Sequence, residues 1–314
     1  MSGIQKALIT GGNGNLGRLV ASRLRERGIE IVRFDLPATS EISSDGDEIV
    51  LGDIRDKSAV ISMLEKHRPN IVYHLASLLS GSSEEDIEAA WAINANASFD
   101  LLRASMATGV QRFFFASTVA TYGDGLADPL PQDAEQWPAN FYGASKVAVE
   151  RLGVYFKLKH GLDFRCLRFP LVISPFAPKT AVTAYPSHSI RAAHAGERFV
   201  FPVSPGVGMS TLFLEDVIRS IVEYSLADAN RLSRHTYNLH GYHVTAEAVA
   251  TTIRRRFQNF EYDFAPDPVV ETLLSGWPNV MADDIANKDW DWKPAFNFAQ
   301  SADRMCELLD AEKA

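Results

Sequence analysis

The chain holds two cysteines in 314 residues, Cys166 and Cys306, and they lie far apart. Such scarcity argues against a disulfide framework and against cysteine-based metal spacing, and it suits a reducing compartment. No block of basic residues occurs. The 31 Lys and Arg are outnumbered by 39 Asp and Glu, for a formal net charge of −8, so neither nucleic acid nor an anionic membrane is suggested as a partner. No apolar run reaches the ~20 residues needed to span a bilayer, and no signal peptide precedes the first apolar run. A soluble cytoplasmic protein is therefore expected. No internal repeat or low-complexity tract is visible, and no metal is expected. His74 has no second ligand at matching spacing and reads as a hydrogen-bonding residue at a strand end.

What is present is concentrated in the first thirty-five residues. Lys6–Thr10 is a short apolar run that ends in Gly11-Gly12-Asn13-Gly14-Asn15-Leu16-Gly17. Leu16, Val20 and Leu24 then share one helical face, and a second apolar run from Ile29 to Phe34 ends at Asp35. Strand, glycine loop, helix, strand and acid is the order a dinucleotide requires. Gly11 permits the turn, Gly14 lets backbone N–H groups approach a pyrophosphate, and Gly17 allows the helix to pack close to the sheet. The phosphates then meet a helix N-terminus, where unpaired N–H groups and the dipole favour negative charge. Asp35 can accept hydrogen bonds from ribose hydroxyls and would repel a 2′-phosphate, which favours NAD over NADP; nearby Arg33 leaves NADP open. The plainer alternative is a structural strand-to-helix turn.

Alternating elements continue beyond this unit. Strands are expected near Glu48–Leu51, Asn70–His74, Arg112–Ala116 and Asp163–Phe169. Helices are expected from Asp56 to His67, over a long region from Glu84 to Ala107, and from Phe141 to His160. Residues 119–140 read as a loop rich in Gly and Pro. This pattern predicts an α/β fold, a Rossmann-type doubly wound parallel sheet covered on both faces. Residues 1–170 are expected to form the NAD-binding domain with the catalytic residues. Residues 171–314 are expected to form a smaller mixed α/β substrate-binding portion, interleaved with returns to the main sheet.

Tyr142 and Lys146 stand at i and i+4, on one face of a helix. A phenol with a reference pKa near 10 is a poor base, and a neighbouring ammonium favours its phenolate. Thr118 lies at the end of the fifth strand, where open α/β sheets place ligands, and its hydroxyl is suited to hold a reacting oxygen. By chance alone the pair would merely begin an amphipathic helix. Trp290 and Trp292 read as packing, Arg254-Arg255-Arg256 as a solvated helix end, and Trp277 equally as a pocket wall or as core.

With these residues in hand, the chain is similar over essentially its whole length to the extended short-chain dehydrogenase/reductases. Thr10 to Gly17, Gly52 to Asp56, Ser117-Thr118-Val119-Ala120-Thr121-Tyr122-Gly123 and Tyr142-x-x-x-Lys146 match that superfamily's motifs. His74 to Ser80, Ala90 to Asn94, Leu167 to Ser174, Tyr237-Asn238-Leu239, Ser275 to Pro278 and Asp289 to Pro294 resemble its L-threonine 3-dehydrogenases. The resemblance implies Thr118, Tyr142 and Lys146 as catalytic residues. For NAD it implies Gly11, Asn13, Gly14, Asn15, Leu16, Gly17, Asp35, Asp53, Ile54, Leu75, Ala76, Ser77, Asn94, Ser117 and Phe169, with Tyr142 and Lys146. For substrate it implies Ser80, Thr118, Tyr142, Thr183 and Trp277. It further implies a homodimer packed through the helices of 84–107 and 141–160, with Val147, Leu152 and Phe156 as apolar positions.

Two departures bear on substrate. Val182-Thr183-Ala184-Tyr185 replaces the Thr-Thr-Asp-Tyr of the threonine enzymes, and Pro202-Val203-Ser204 with Ser80-Gly81 is similar to the D-erythronate dehydrogenases. The expected activity is oxidation of a secondary alcohol on a small polar substrate, L-threonine-like or another hydroxy or polyol acid. Nucleotide-sugar 4-epimerases and dehydratases also resemble the first half. They commonly carry Asn where this chain has Leu171, and an arginine near Ser210 that neutralises the diphosphate; Arg191 and Arg198 are the possible substitutes. A non-catalytic dinucleotide sensor is a third reading, disfavoured because both Tyr142 and Lys146 are present.

Overall fold

The computed structural model describes residues 3–37, 45–179 and 181–311. Residues 38–44 of the expected polar loop lie outside them. In chain order the elements are β1 (Lys6–Thr10), α1 (Asn15–Arg25), β2 (Glu30–Asp35), β3 (Glu48–Leu51), α2 (Lys57–His67), β4 (Ile71–His74), α3 (Ser80–Glu85), α4 (Ile87–Ala90), a π-helical segment (Trp91–Ala97), α5 (Ser98–Ala107), β5 (Arg112–Thr118), α6 (Phe141–His160) and β6 (Asp163–Phe169). They continue as β7 (Leu171–Ile173), α7 (Tyr185–Ala195), β8 (Phe199–Phe201), β9 (Gly208–Phe213), α8 (Leu214–Leu226), β10 (Thr236–Asn238), β11 (Tyr242–Thr245), α9 (Ala246–Arg256), β12 (Tyr262–Phe264), α10 (Pro268–Ser275), α11 (Asp284–Trp290) and α12 (Phe298–Ala311). Two compact units result. One comprises Met1–Thr121, Pro138–Arg168 and Ile218–Tyr237, the other Tyr122–Trp137, Phe169–Val217 and Asn238–Ala314.

The first unit carries a seven-stranded sheet in the order β10-β6-β5-β4-β1-β2-β3. The pairs β1–β2, β2–β3, β1–β4 and β4–β5 are parallel. Chain order reverses between β1 and β4, which opens a crevice at the strands' carboxyl ends. Val72, Phe113, Phe115 and Phe164 are fully or almost fully buried, as expected of strands covered on both faces. Phe164 stacks on Phe113 and Phe115 at ring separations of 6.2 and 6.4 Å. Local signals end the helices where expected. Asp56 caps α2 by accepting from Ser58 N and Ala59 N, and Gly161, at φ 74°, closes α6.

The structure departs from expectation along residues 80–107. One long helix was anticipated from Glu84. Instead the chain breaks at Asp86, whose carboxylate caps α4 through Ala89 N, and then widens into the π segment before α5. Apolar periodicity spans this region, but a capping acid and a widened turn leave almost no mark on periodicity.

The second unit holds a three-stranded sheet, β11-β9-β7, with β11–β9 antiparallel and β7–β9 parallel. A parallel pair, β12–β8, accompanies it. Its core gathers Tyr185, Phe201, Phe213 and Ile253, all nearly inaccessible, with Phe201 stacked on Phe264 at 5.1 Å. Trp290 and Trp292 are buried with rings 5.4 Å apart, so they are packing residues. Arg254, Arg255 and Arg256 form the exposed last turn of α9.

Candidate active site

In the first unit the crevice beside the switch point is a pocket. It is lined by Gly11 and Gly14 after β1, Phe34 to Leu36 at the end of β2, Gly52 to Arg55 after β3, Leu75 to Leu78 after β4, and Ile93 from the π segment. Gly11 sits at φ 67°, and a Cβ there would press on the Ala76 backbone at 2.8 Å. A side chain at Gly17 would overlap Gly11 O and the Gly12 backbone. Gly17 thus lets the start of α1 pack closely on the backbone that leaves β1. Helix α1 begins at Asn15 with no side-chain cap on its N-terminus and no acid in its first turn. Its leading N–H groups therefore remain able to receive an anion.

Asp35 accepts from Asn13 N and Leu36 N, both at 2.8 Å, so one carboxylate fixes the glycine loop and the end of β2. The amide oxygen and nitrogen of Asn13 are buried with no hydrogen-bond partner. Buried polar atoms are rarely left so, and Asn13 stands within the glycine loop that leads into an uncapped helix. These features fit a dinucleotide. Arg33 offers no welcome to a 2′-phosphate: it is fully buried and its guanidinium lies 2.9 Å from Asp47. Asp53, in the pocket wall, is gripped by Arg55 at 2.5 Å, and those hydrogen bonds hold its carboxyl below the ordinary value. Ile54 is buried; Asn15 is exposed and Leu16 half-buried.

Asn94 lies in the π segment and is buried. Its Oδ1 accepts from Leu78 N at 2.8 Å and its Nδ2 donates to Leu78 O at 3.0 Å, which clasps the loop after β4 by both backbone groups. Ser77 Oγ also donates to Asn94 Oδ1, at 3.1 Å. Ser80, three residues past Ser77, is exposed.

Helix α6 begins where Asn140 caps it, accepting from Gly143 N at 2.7 Å and donating to Ala120 O at 3.3 Å. A side chain at Gly143 would run into Ala120 O, so this glycine allows Tyr142 to approach the turn that follows β5. Thr118, half-buried in β5, accepts from Ala120 N at 3.2 Å through its hydroxyl. Lys146 is buried. Its Nζ donates to Ala116 O at 3.1 Å and lies 4.7 Å from the Phe115 ring centre and 5.4 Å from that of Tyr142.

Loss of water lowers Lys146 to about 8 and pushes the Tyr142 phenol above its ordinary value. At Tyr142 burial is the dominant influence, and the Lys146 ammonium is turned to a carbonyl and a phenylalanine face. Ser117 does not present its hydroxyl to the crevice. It donates to Glu150 at 2.5 Å, and Glu150 in turn receives Arg168 Nη2 at 2.6 Å. The sequence reading missed Glu150 and Arg168, although Glu150 stands four residues past Lys146 on the same helical face. Its cofactor residues also left out Phe34, Leu36, Gly52, Arg55, Leu78 and Ile93 of the pocket wall.

Three further expected residues belong to the second unit. Phe169 is buried, Thr183 is half-buried in a short 3₁₀ turn, and Trp277 packs half-buried against the core. There too, Ser210 is buried with its hydroxyl 2.7 Å from His240 Nδ1. Arg198 pairs with Asp263, and Arg191 Nη2 donates to Ala177 O at 2.8 Å.

Comparison with known proteins agrees with this geometry. Residues 7–239 match the model of the NAD dependent epimerase/dehydratase family. The mitochondrial L-threonine 3-dehydrogenase of Bos taurus is 30% identical over 312 residues, covering 98% of this chain and 83% of that protein. Among solved structures, L-threonine dehydrogenase from Clostridium difficile superposes with a TM-score of 0.92 at 27% identity, over 98% of each chain. A monomeric L-threonine 3-dehydrogenase from a metagenome database gives 0.86 at 27% identity, over 98% of this chain and all of that one.

Proposed function

As a member of the NAD dependent epimerase/dehydratase family, the chain is an NAD-dependent oxidoreductase of the extended short-chain type, and we propose that it oxidises L-threonine or a closely similar small hydroxy acid. The observation that carries this reading is the pair on α6: a buried Lys146 ammonium 5.4 Å from the Tyr142 ring, in the same unit as the glycine cradle. Tyr142, as phenolate, takes the substrate's hydroxyl proton on Oη. Thr118 holds the same oxygen through its hydroxyl. NAD, when bound, would supply a hydride acceptor for the carbinol carbon and a positive ring whose charge would favour the phenolate. Lys146, its ammonium 5.4 Å from the Tyr142 ring, keeps its own proton and hydrogen-bonds the nicotinamide ribose in this reading. Removal of the proton is coupled to departure of the hydride, since a free alkoxide is too basic near neutral pH.

Asp35, Asn13 and the first turn of α1 bind the adenosine and pyrophosphate end in this reading, with Gly14, Leu75, Ala76 and Ser77 walling it. Ser80 contacts substrate. A nucleotide sugar is disfavoured, because neither arginine that would substitute near Ser210 is free of protein partners. Arg198 is ion-paired and Arg191 braces the loop carbonyls of Pro175 and Ala177. Turnover with NAD is to be measured across L-threonine, D-erythronate and other β-hydroxy acids, beside UDP-hexose epimerisation. Epimerisation without alcohol oxidation would overturn the proposal.

A homodimer is part of the proposal. Ile87, Trp91, Phe99, Tyr155 and Leu158 expose large apolar side chains on α4, the π segment, α5 and α6, the elements through which the dimer is proposed to pack. The positions differ from those expected, since Phe156 is buried and Leu152 packs half-buried against the core. Light scattering at micromolar concentration tests it, with a monomer as the contrary result. A cytoplasmic location is proposed on the two free, buried thiols; among the described residues, no helix is long and apolar enough to cross a membrane.

A further inference from the structure

A line of buried polar groups runs beneath the dinucleotide pocket and takes no part in the chemistry above. Ala76 N donates to Thr10 Oγ1 over 3.4 Å, Thr10 Oγ1 lies 2.8 Å from His74 Nδ1, and His74 Nε2 lies 2.7 Å from Ser98 Oγ. Ser98 Oγ donates to Asn94 O at 2.6 Å. Thr10, His74 and Ser98 are inaccessible to water, so each donor and acceptor must be matched inside the chain.

For a neutral imidazole the matching has one solution. Ser98 spends its proton on the Asn94 carbonyl, so it must accept from His74, which places a hydrogen on Nε2. Nδ1 is then an acceptor, and Thr10 must donate to it, which leaves the Thr10 oxygen to accept from Ala76. Every bond points the same way, from the loop after β4 to the π segment. A proton added at Nδ1 would oppose the Thr10 hydroxyl and break the line. The ring is held between Phe113 and Phe115, at 5.9 Å from each, and the Lys146 ammonium is the charge whose field reaches it. Burial, with that ammonium, lowers His74 to about 3.

The two ends of this line are both at the pocket. Thr10 is the foot of the glycine loop, and Ala76 is the backbone on which Gly11 closes. Asn94, at the other end, clasps Leu78. Ser98's own N–H is turned to Ala95 O, so its hydroxyl supplies the bond that holds the Asn94 carbonyl in the widened turn.

We propose that Thr10, a neutral His74 in its Nε2–H form, and Ser98 are positioning residues that lock the glycine loop and the π segment into one frame for NAD. The proposal rests on the NAD reading above, but two of its tests need no turnover. In ¹⁵N spectra of the whole protein without nucleotide, His74 is expected as the neutral Nε2–H tautomer, unchanged from pH 5 to 9. An Nδ1–H tautomer, or titration in that range, would overturn the proposal.

By calorimetry, Thr10→Val and Ser98→Ala should each bind NAD about tenfold more weakly, as befits one broken buried hydrogen bond that strands its neighbours. Thr10→Ser, which keeps the hydroxyl, should bind within about threefold of wild type. At saturating NAD, kcat should stay within about threefold while the KM for NAD rises. Unchanged NAD affinity in the folded valine and alanine variants would overturn the proposal and leave the oxidoreductase reading intact. Wild-type protein that binds no NAD would overturn both.

Discussion

Lys146 and Glu150 stand one helical turn apart on α6, both buried, and their surroundings are opposite. Glu150 is answered by the Arg168 guanidinium and the Ser117 hydroxyl. Lys146 has a carbonyl and two aromatic faces near its ammonium, and its pKa falls to about 8. A buried charge with a matched partner holds structure together, whereas one left with weak partners can exchange protons near neutral pH. The same helix thus carries an anchoring turn and a chemical turn.

The largest effect should come from emptying the chemical turn. Tyr142→Phe is expected to lower kcat on the true substrate by the ~10²–10⁴-fold typical of a lost general base, with NAD affinity retained by calorimetry. Near-normal turnover would remove the distinction between the two turns.

Breaking the anchoring turn should instead cost stability. Glu150→Ala leaves Arg168 buried without its carboxylate, at about 3–5 kcal/mol, to be read as a lowered urea midpoint. A drop in turnover without loss of stability would place Glu150 among the reacting groups.

Lys146→Met sharpens the contrast through pH. A lysine whose folded pKa lies at about 8, below its unfolded 10.5, binds fewer protons in the folded state between those values. Stability from this group therefore rises as pH increases from about 8 and is lost as pH falls back through it. Melting temperatures of wild type and Lys146→Met between pH 7 and 10 should differ in slope, the variant lacking this rise; parallel curves would contradict it.

Smaller effects are expected at the nucleotide end. Asp35→Ala should narrow the preference for NAD over NADP by roughly tenfold in kcat/KM, the scale of a charged hydrogen bond; better use of NADP by wild type would refute the role of Asp35. Smallest of all, Thr118→Ser should change kcat by no more than about threefold, because the hydroxyl survives, whereas Thr118→Val should be severe.

Much of the first unit was legible in the order of residues. Glycine positions, the acid at Asp35, the capping acid at Asp56 and the i, i+4 spacing of Tyr142 and Lys146 act over a few residues, and short-range sterics and helix geometry are written locally. The break at Asp86 and the π segment were not, since a capping acid and a widened turn leave almost no mark on apolar periodicity. Nor did spacing reveal that Ser117 is bound to Glu150, that Arg33 is buried on Asp47, or that Lys146 turns to Ala116. Those outcomes depend on which strand ends meet across the sheet and on how much water is excluded there. Local pattern set the identity of the groups at this site; burial and partners brought together from β1, β4, α5 and α6 decided their charge, their direction and which of them remain available for chemistry.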